Sequence, residues 1–325
     1  MECFHIVFDR TCPLKSAKGD MVSARDHAEV VEKYLKGERE AGRVLGRFDP
    51  NELTPEAHIS PIGIIPKRHQ ENAWRLIVDM SSPEGCSVND GISPTLSSLE
   101  YIHIQDVIRK IVSLGQNASM AKIDIKSAYR ICPVHADDHL LLGMSFQGKV
   151  YIDTALPFGM RSAPKIFNAL ADAPIWILKQ HGVSAALHYL DDFITLSPPN
   201  SPQCSINCHI ILGICELLGI PLAPEKYQGP CLWLDYLRFL LDTALMTVSL
   251  PQDKLDRLST LLSSWCHRKV CTKHDLDSLI GQLHHASAII KPGCSFLRCM
   301  IILSKSRHHP SHPIRLNQSF RSDLT

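Results

Sequence analysis

A run of roughly 18 or more apolar residues, the minimum for a membrane-spanning helix, occurs nowhere in the 325 residues of the chain. The N-terminus also lacks the basic-then-apolar layout of a secretion signal. Met1 to Pro13 scatters Glu2, His5, Asp9 and Arg10 among its apolar residues, which argues against export and for an intracellular protein, cytoplasmic or nuclear. Zinc-finger spacing is missing too. Two tight cysteine spacings stand out, Cys204/Cys208 and Cys294/Cys299, but neither is a CxxC and neither has a matching pair. The 12 cysteines are therefore expected as reduced thiols scattered through a core. The 17 histidines are dispersed, and the adjacent pairs His284-His285 and His308-His309 are expected to be solvated or partly buried polar residues. No internal repeat or low-complexity tract is present. The net charge of +1 does not by itself announce nucleic-acid binding.

The distribution of charge says more. Residues 251 to 325 hold eleven Lys or Arg against five Asp or Glu, a surplus of +6, whereas the rest of the chain carries −5. A basic C-terminal quarter behind an acidic body can track a phosphate backbone or can simply be a solvated surface. The length exceeds what a single core needs, so two or three subdomains are expected. With 45% hydrophobic and 21% charged residues, the composition is that of an ordinary globular chain.

Periodicity assigns the elements. Residues 20–45 carry Ala28, Val31 and Leu35 at helical spacing among many charges, the pattern of an exposed amphipathic helix. Ile59 to Pro66 and Trp74 to Met80 read as extended segments joined by a polar turn over residues 67–72. Helices are expected over Ile104 to Leu114, Ser162 to Gln180, Ile206 to Leu218, Asp253 to Cys266 and Lys273 to Ser287. Pro174 falls inside the second of these. Because an interior proline costs about 3 kcal/mol or more, that helix is expected to end near Ala173, with Pro174 opening another. Ala121 to Ile125 is a short strand, and Ala185 to Leu190 with Phe193 to Leu196 form a hairpin. Strands and helices without strict alternation imply an α+β fold followed by a helical domain.

Two segments carry chemistry. In Tyr189-Leu-Asp-Asp-Phe193, two adjacent carboxylates stand at the tip of an apolar hairpin. Like charges this close repel and raise one another's pKa, a penalty that a hard divalent cation removes. An Asp-Asp pair taken alone is more often a solvated turn, but the flanking Leu187, Tyr189, Phe193 and Leu196 make this hairpin half-buried. In Ile123-Asp-Ile-Lys-Ser-Ala-Tyr129, Asp124 ends a short strand. It is either a strand-end cap or a third carboxylate. Two metals about 3.5–4 Å apart need shared carboxylates to clamp an in-line phosphoryl transfer.

Together with Leu156-Pro-Phe-Gly-Met-Arg-Ser-Ala-Pro-Lys-Ile-Phe167 and Pro221-Leu-Ala-Pro-Glu-Lys226, these segments occur in the order and spacing of a palm polymerase. The set resembles motifs A, B, C and D of reverse transcriptases. Val88-Asn-Asp-Gly-Ile92, His188-Tyr-Leu-Asp-Asp-Phe193 and Ser278-Leu-Ile-Gly-Gln-Leu283 are most similar to the DIRS-like, tyrosine-recombinase retrotransposons. The resemblance covers about residues 20 to 325. It implies a right-hand fold with an antiparallel palm sheet and helices. Fingers would span 1–118 with a return near 133–150, the palm 119–245, and a helical thumb and connection 250–305. Residues 306–325 would be a truncated lead-in to a ribonuclease H region. It further implies an RNA- and DNA-directed DNA polymerase that uses template-primer and deoxynucleoside triphosphates. The ribonuclease H and recombinase portions of the element are absent from this chain and would be its partners.

The resemblance also assigns roles. Asp124, Asp191 and Asp192, with the backbone carbonyl of Ile125, would hold two magnesium ions, or manganese in their place. Tyr129 would exclude a ribose 2′-hydroxyl. Phe158 and Gly159 would pack on the incoming base and the template. Lys67 and Arg75 would hold the triphosphate. Lys226 would donate a proton to departing pyrophosphate, and Tyr189 and Arg238 would face primer and template. The primer-grip segment departs from the family pattern, because Tyr236-Leu-Arg238-Phe239 carries arginine where glycine is usual. Arg238 and Pro174 keep a competing reading open, a decayed retrotransposon relic that at most binds nucleic acid. Other palm polymerases, telomerase-like or intron-encoded, fit less well because long basic insertions and an RNA-binding N-terminal domain are lacking.

Overall fold

The computed structural model describes residues 3–17, 19–53, 57–66, 73–290 and 293–324. At its centre is a four-stranded antiparallel sheet in the order Gln228–Cys231, Ser119–Asp124, Asp192–Ser197, Ala186–Tyr189. Side chains alternate between faces along a strand, and both faces of this sheet are covered. Ala121, Ile123 and Phe193 point toward helices Ala163–Gln180 and Gln203–Leu217. Met120, Ile194 and Leu196 point the other way, into a core with helix Ile104–Leu114 and Leu234, Tyr236, Phe239 and Leu241. Those last four residues belong to a three-stranded sheet of Trp233–Tyr236, Phe239–Asp242 and Thr247–Ser249. Burial on both faces explains why the central strands read as apolar runs and not as alternating patterns.

The face that carries Met120 changes character toward the end of its strand. Lys122 and Asp124 follow Met120 at two-residue steps, and Asp192 follows Ile194 and Leu196 on the neighbouring strand. Packing gives way to charge where helix Ile104–Leu114 no longer covers the sheet.

A second body is built from both sides of the central strand in sequence. Val44–Phe48 pairs with Lys149–Asp153, which pairs with Gly143–Phe146, and Ile59–Ser60 lies parallel to the latter. The hairpin Ile62–Pro66 with Trp74–Val78 pairs Ile62 with Val78 and Pro66 with Trp74. Arg130, only 5% exposed, ties this body to the segment after Asp124. Its guanidinium donates to Asp153 at 2.6 Å and Glu38 at 2.9 Å, and Glu38 also accepts from Arg43 at 2.7 Å. A buried guanidinium is tolerated because every face of it finds an acceptor. The N-terminal segment adds a strap: Ile6 is fully buried, its N–H donates to Asp138, and its carbonyl accepts from Ser162 at 2.9 Å.

The C-terminal body is helical. Gln252–Cys266, Lys273–Ser287, Arg298–Lys305 and Gln318–Leu324 enclose Trp265, Leu276, Leu279, Met300 and Phe320. The tail packs into the same core through the pairing of Val270–Thr272 with Pro313–Arg315 and the contact of the Phe320 and Trp265 rings at 5.8 Å.

Two expectations need correction. The segment over 20–45 is two helices, Val22–Asp26 and Ala28–Glu40, and Val44 opens a strand. Its apolar stripe is buried, with Val31 and Leu35 at most 1% exposed. Helix Ala163–Gln180 runs unbroken through Pro174. Ala171, Pro174, Ile175 and Leu178 are all buried, so the packing of this face outweighs the local cost of the proline.

Candidate catalytic and nucleic-acid site

The tip of the hairpin holds the acidic pair. Leu190 adopts φ 52, a left-handed conformation unusual for leucine, so that the strands turn directly at Leu190-Asp191. Asp192 returns in register opposite both Tyr189 and, on the other neighbouring strand, Asp124. Directly opposed residues place their Cβ atoms roughly 4.5–5.5 Å apart, so two carboxylates share one ladder step and Asp191 adjoins them. The Ile125 N–H donates to the Asp191 carbonyl at 3.0 Å, and the Ala223 N–H donates to the Asp124 carbonyl at 2.9 Å. These bonds bring Lys226 to the site. Its ammonium donates to Asp124 at 2.7 Å. Lys122 forms a second ion pair, with Asp192 at 3.1 Å.

Electrostatics follow from burial. Asp124 is 4% exposed. Desolvation pushes its carboxyl up to about 6, against the pull of Lys226 and with the help of Asp191. Asp191 is also pushed up, by burial first and then by Asp192. Burial opposes the charge on Lys226, but Asp124 outweighs it and holds the ammonium protonated. Among the described residues, no three His, Cys, Asp or Glu side chains form a ready-made chelate. Asp124 and Asp192 are instead each turned to a lysine. The donor set still fits a hard divalent cation: three carboxylates, two of them in register, with the charge of Asp124 and Asp191 disfavoured by burial and repulsion.

A second group lies beside it. The Tyr129 ring packs on Phe158 at 5.2 Å and on Phe167 at 5.7 Å, and the Arg75 guanidinium sits 4.9 Å over Phe158. Arg75, Tyr129 and Phe158, drawn from three distant segments, therefore meet. Gly159 has φ 113, and a Cβ there would lie 2.2 Å from the Val78 carbonyl oxygen. The glycine is thus required by the close approach of the Val78 backbone. Asn89, 5% exposed, was assigned no role from sequence. Its amide donates to the Gly159 carbonyl at 2.9 Å and accepts from the Arg161 N–H at 2.7 Å. It fixes the loop before the long helix. A short polar residue within Val88-Asn-Asp-Gly was the only signal of this in the sequence. Lys67 lies outside the described residues.

Tyr189 stacks on Tyr101 at 4.9 Å. Arg238 sits with Leu237 in the turn that pairs Tyr236 with Phe239, both at positive φ (66 and 50). That is the pattern of a type I′ hairpin turn, so the turn forms without the usual glycine. Arg238, Lys122, Tyr189, Asp191, Asp192 and His285 line one cleft of about 930 Å³. A neighbouring cleft of about 480 Å³ is lined by Arg238, Lys254, Arg257, Gln282 and His285. His285, from helix Lys273–Ser287, stacks on Phe239 at 4.6 Å and joins the helical body to the central one.

Solved structures resemble the whole arrangement. The foamy viral protease-reverse transcriptase in complex with double-stranded DNA superposes with a TM-score of 0.72 at 14% identity, over 100% of this chain and 51% of that one. The same viral protein in complex with an RNA/DNA hybrid gives 0.66 at 14% identity, over 98% and 38%. The fold is thus the right-hand palm polymerase fold. The reverse transcriptase (RNA-dependent DNA polymerase) family profile matches residues 65–259, and the chain belongs to that family. A retrovirus-related Pol polyprotein from transposon opus of Drosophila melanogaster is 27% identical over 170 residues, 51% of this chain and 16% of that protein. The chain spans about a sixth of that curated relative. Among the described residues, no helix is long and apolar enough to cross a membrane.

Proposed function

We propose that this chain is the polymerase portion of a retroelement reverse transcriptase, extending a primer with deoxynucleoside triphosphates on an RNA or DNA template. The observation that carries this is the pairing of Asp124 with Asp192, with Asp191 adjacent, at the open end of the central sheet. Asp124, Asp191, Asp192 and the Ile125 carbonyl would hold two magnesium ions, with manganese as a substitute. When bound, such ions supply charge neutralisation at the phosphates and polarise the attacking and departing oxygens.

The chain's own residues do the rest. The Tyr129 ring, braced by Phe158 and Phe167, blocks the space a 2′-hydroxyl would need. Arg75 offers the planar fork suited to a triphosphate, with Lys67 assigned to the same ligand. Lys226 keeps a proton available for the pyrophosphate. Tyr189 and Arg238 face the primer side of the cleft. We assign fingers to 1–118 with a return over 133–150, palm to 119–245, thumb and connection to 250–305, and a ribonuclease H lead-in to 306–325. The return is supported by the pairing of Lys149–Asp153 with Val44–Phe48. The basic surplus of residues 251–325 suits a template-primer backbone. Membership of the DIRS-like subgroup, an intracellular location and ribonuclease H and recombinase partners belong to the same proposal.

The competing reading, an inert relic, drew on Pro174 and Arg238. The helix accommodates the first and the hairpin turn the second, which favours an intact enzyme. Primer extension on poly(rA)/oligo(dT) with magnesium is the test. The native chain should extend and the Asp191→Asn, Asp192→Asn double variant should not. A folded native chain that fails to extend would support the relic.

A further inference from the structure

Lys122 stands where this face of the sheet passes from apolar side chains to carboxylates. It lies between Met120 and Asp124 on the inward-facing side of its strand, opposite Ile194. Its side chain is only 19% exposed. A lysine so placed is disfavoured unless its charge is met, and Asp192, one diagonal step across the ladder, meets it at 3.1 Å. Each of the two paired carboxylates therefore has its own ammonium, Lys226 for Asp124 and Lys122 for Asp192. The two lysines are not equivalent. Lys226 arrives from the segment after Pro221, whereas Lys122 is built into the catalytic strand itself.

An ammonium and a divalent ion repel, and both draw on the Asp192 carboxylate. Resting on the assignment of Asp124, Asp191 and Asp192 as metal ligands, we infer that Lys122 is a positioning residue. It holds Asp192 in place without metal, competes with the divalent ion for that carboxylate, and so sets the metal affinity of the site. Its flexible four-carbon stem lets it swing away when displaced. The cleft it lines with Tyr189 and Arg238 gives the freed ammonium a phosphate backbone to meet. Lys122 thus opposes metal binding and favours nucleic-acid binding.

Opposite signs make the test sharp, since a folding defect would weaken both. Mn²⁺ binding to the full chain is measured by the loss of the free-ion electron paramagnetic resonance signal. Binding of an oligo(dT)-primed RNA template at saturating Mn²⁺, without triphosphates, is measured by fluorescence anisotropy. Lys122→Met should bind Mn²⁺ about tenfold more tightly, the scale set by removing one charge a few ångströms from a partly exposed ion. It should bind the primed template several-fold more weakly. Lys122→Arg should stay within about twofold of the native chain for both, and Lys122→Gln serves if the methionine variant does not fold. Mn²⁺ affinity that is equal or weaker in a cooperatively folding neutral variant overturns the inference and leaves the polymerase reading intact. Native Mn²⁺ binding that is absent, or that survives in the Asp191→Asn, Asp192→Asn variant, overturns both.

Discussion

Tyr129 shows how one side chain can be read twice. As a ring it is packing, wedged between Phe158 and Phe167. In the role proposed for it, it would also be a wall that limits the sugar that fits beside Asp191. Tyr129→Val is expected to raise ribonucleotide incorporation relative to deoxyribonucleotide by at least about tenfold, since one clashing group is removed from a shaped pocket. Single-nucleotide extension with each triphosphate would check it, and unchanged selectivity would reduce Tyr129 to a core aromatic. His58 provides a second residue-scale prediction. It is 2% exposed, both ring nitrogens lack a partner among the described residues, and burial lowers its pKa below the usual 6.5. The folded chain therefore keeps it neutral while the unfolded chain takes up a proton. Stability should fall as pH drops below about 6.5, by at most about 1.4 kcal/mol per pH unit from this group. Urea midpoints from pH 7 to 5.5 should fall less steeply for His58→Leu than for the native chain. Parallel slopes would exclude the histidine as the cause. Asp124, Asp191 and Asp192 were visible in the sequence as carboxylates at apolar strand ends, and Tyr129 and Lys226 through the motif resemblance. Asn89, Lys122 and Arg130 were not, because their partners lie 70, 70 and 92 residues away along the chain.

Elements were legible where their periodicity was unmixed. The hairpin around Asp191 and helix Lys273–Ser287 fall where the patterns put them. The failures have physical causes. Val44–Phe48 carries Gly46 and Arg47 in positive-φ conformations and a register shift, so no two-residue alternation survives in the sequence. Pro174 broke a local rule that burial of its helix face overrides. The turn at Leu237-Arg238 broke another, and it yields a prediction. An L residue in the left-handed region costs roughly 1–2 kcal/mol relative to its preferred conformation, and glycine escapes that cost. Arg238→Gly is expected to stabilise the chain by about 1 kcal/mol in urea unfolding while weakening primer-template binding. A variant that is stabilised but binds undiminished would remove Arg238 from the primer surface.

At the scale of the whole molecule, the charge asymmetry and the clefts coincide. Arg238, Lys254 and Arg257 converge where the helical body meets the three-stranded sheet, although the chain as a whole is nearly neutral. Binding of a primed template should therefore depend steeply on salt. Three to five neutralised phosphates predict about 10²-fold weaker binding between 50 and 200 mM salt. A flat salt dependence would mean that the basic quarter is only a solvated surface. This convergence was half legible: the surplus of charge could be counted, but which cations share a groove depends on how helix Gln252–Cys266 packs beside the Leu237-Arg238 turn.

The most direct measurement of the central claim is single-turnover addition of one deoxynucleotide to an RNA-templated primer, with magnesium, by the native chain and by Asp124→Asn. Both chains would first be shown to unfold cooperatively. Addition by the native chain and its loss, by a factor of at least about 10², in the variant is the predicted result. Equal rates, or no addition by a folded native chain, would contradict the assignment of Asp124, Asp191 and Asp192 as the catalytic centre.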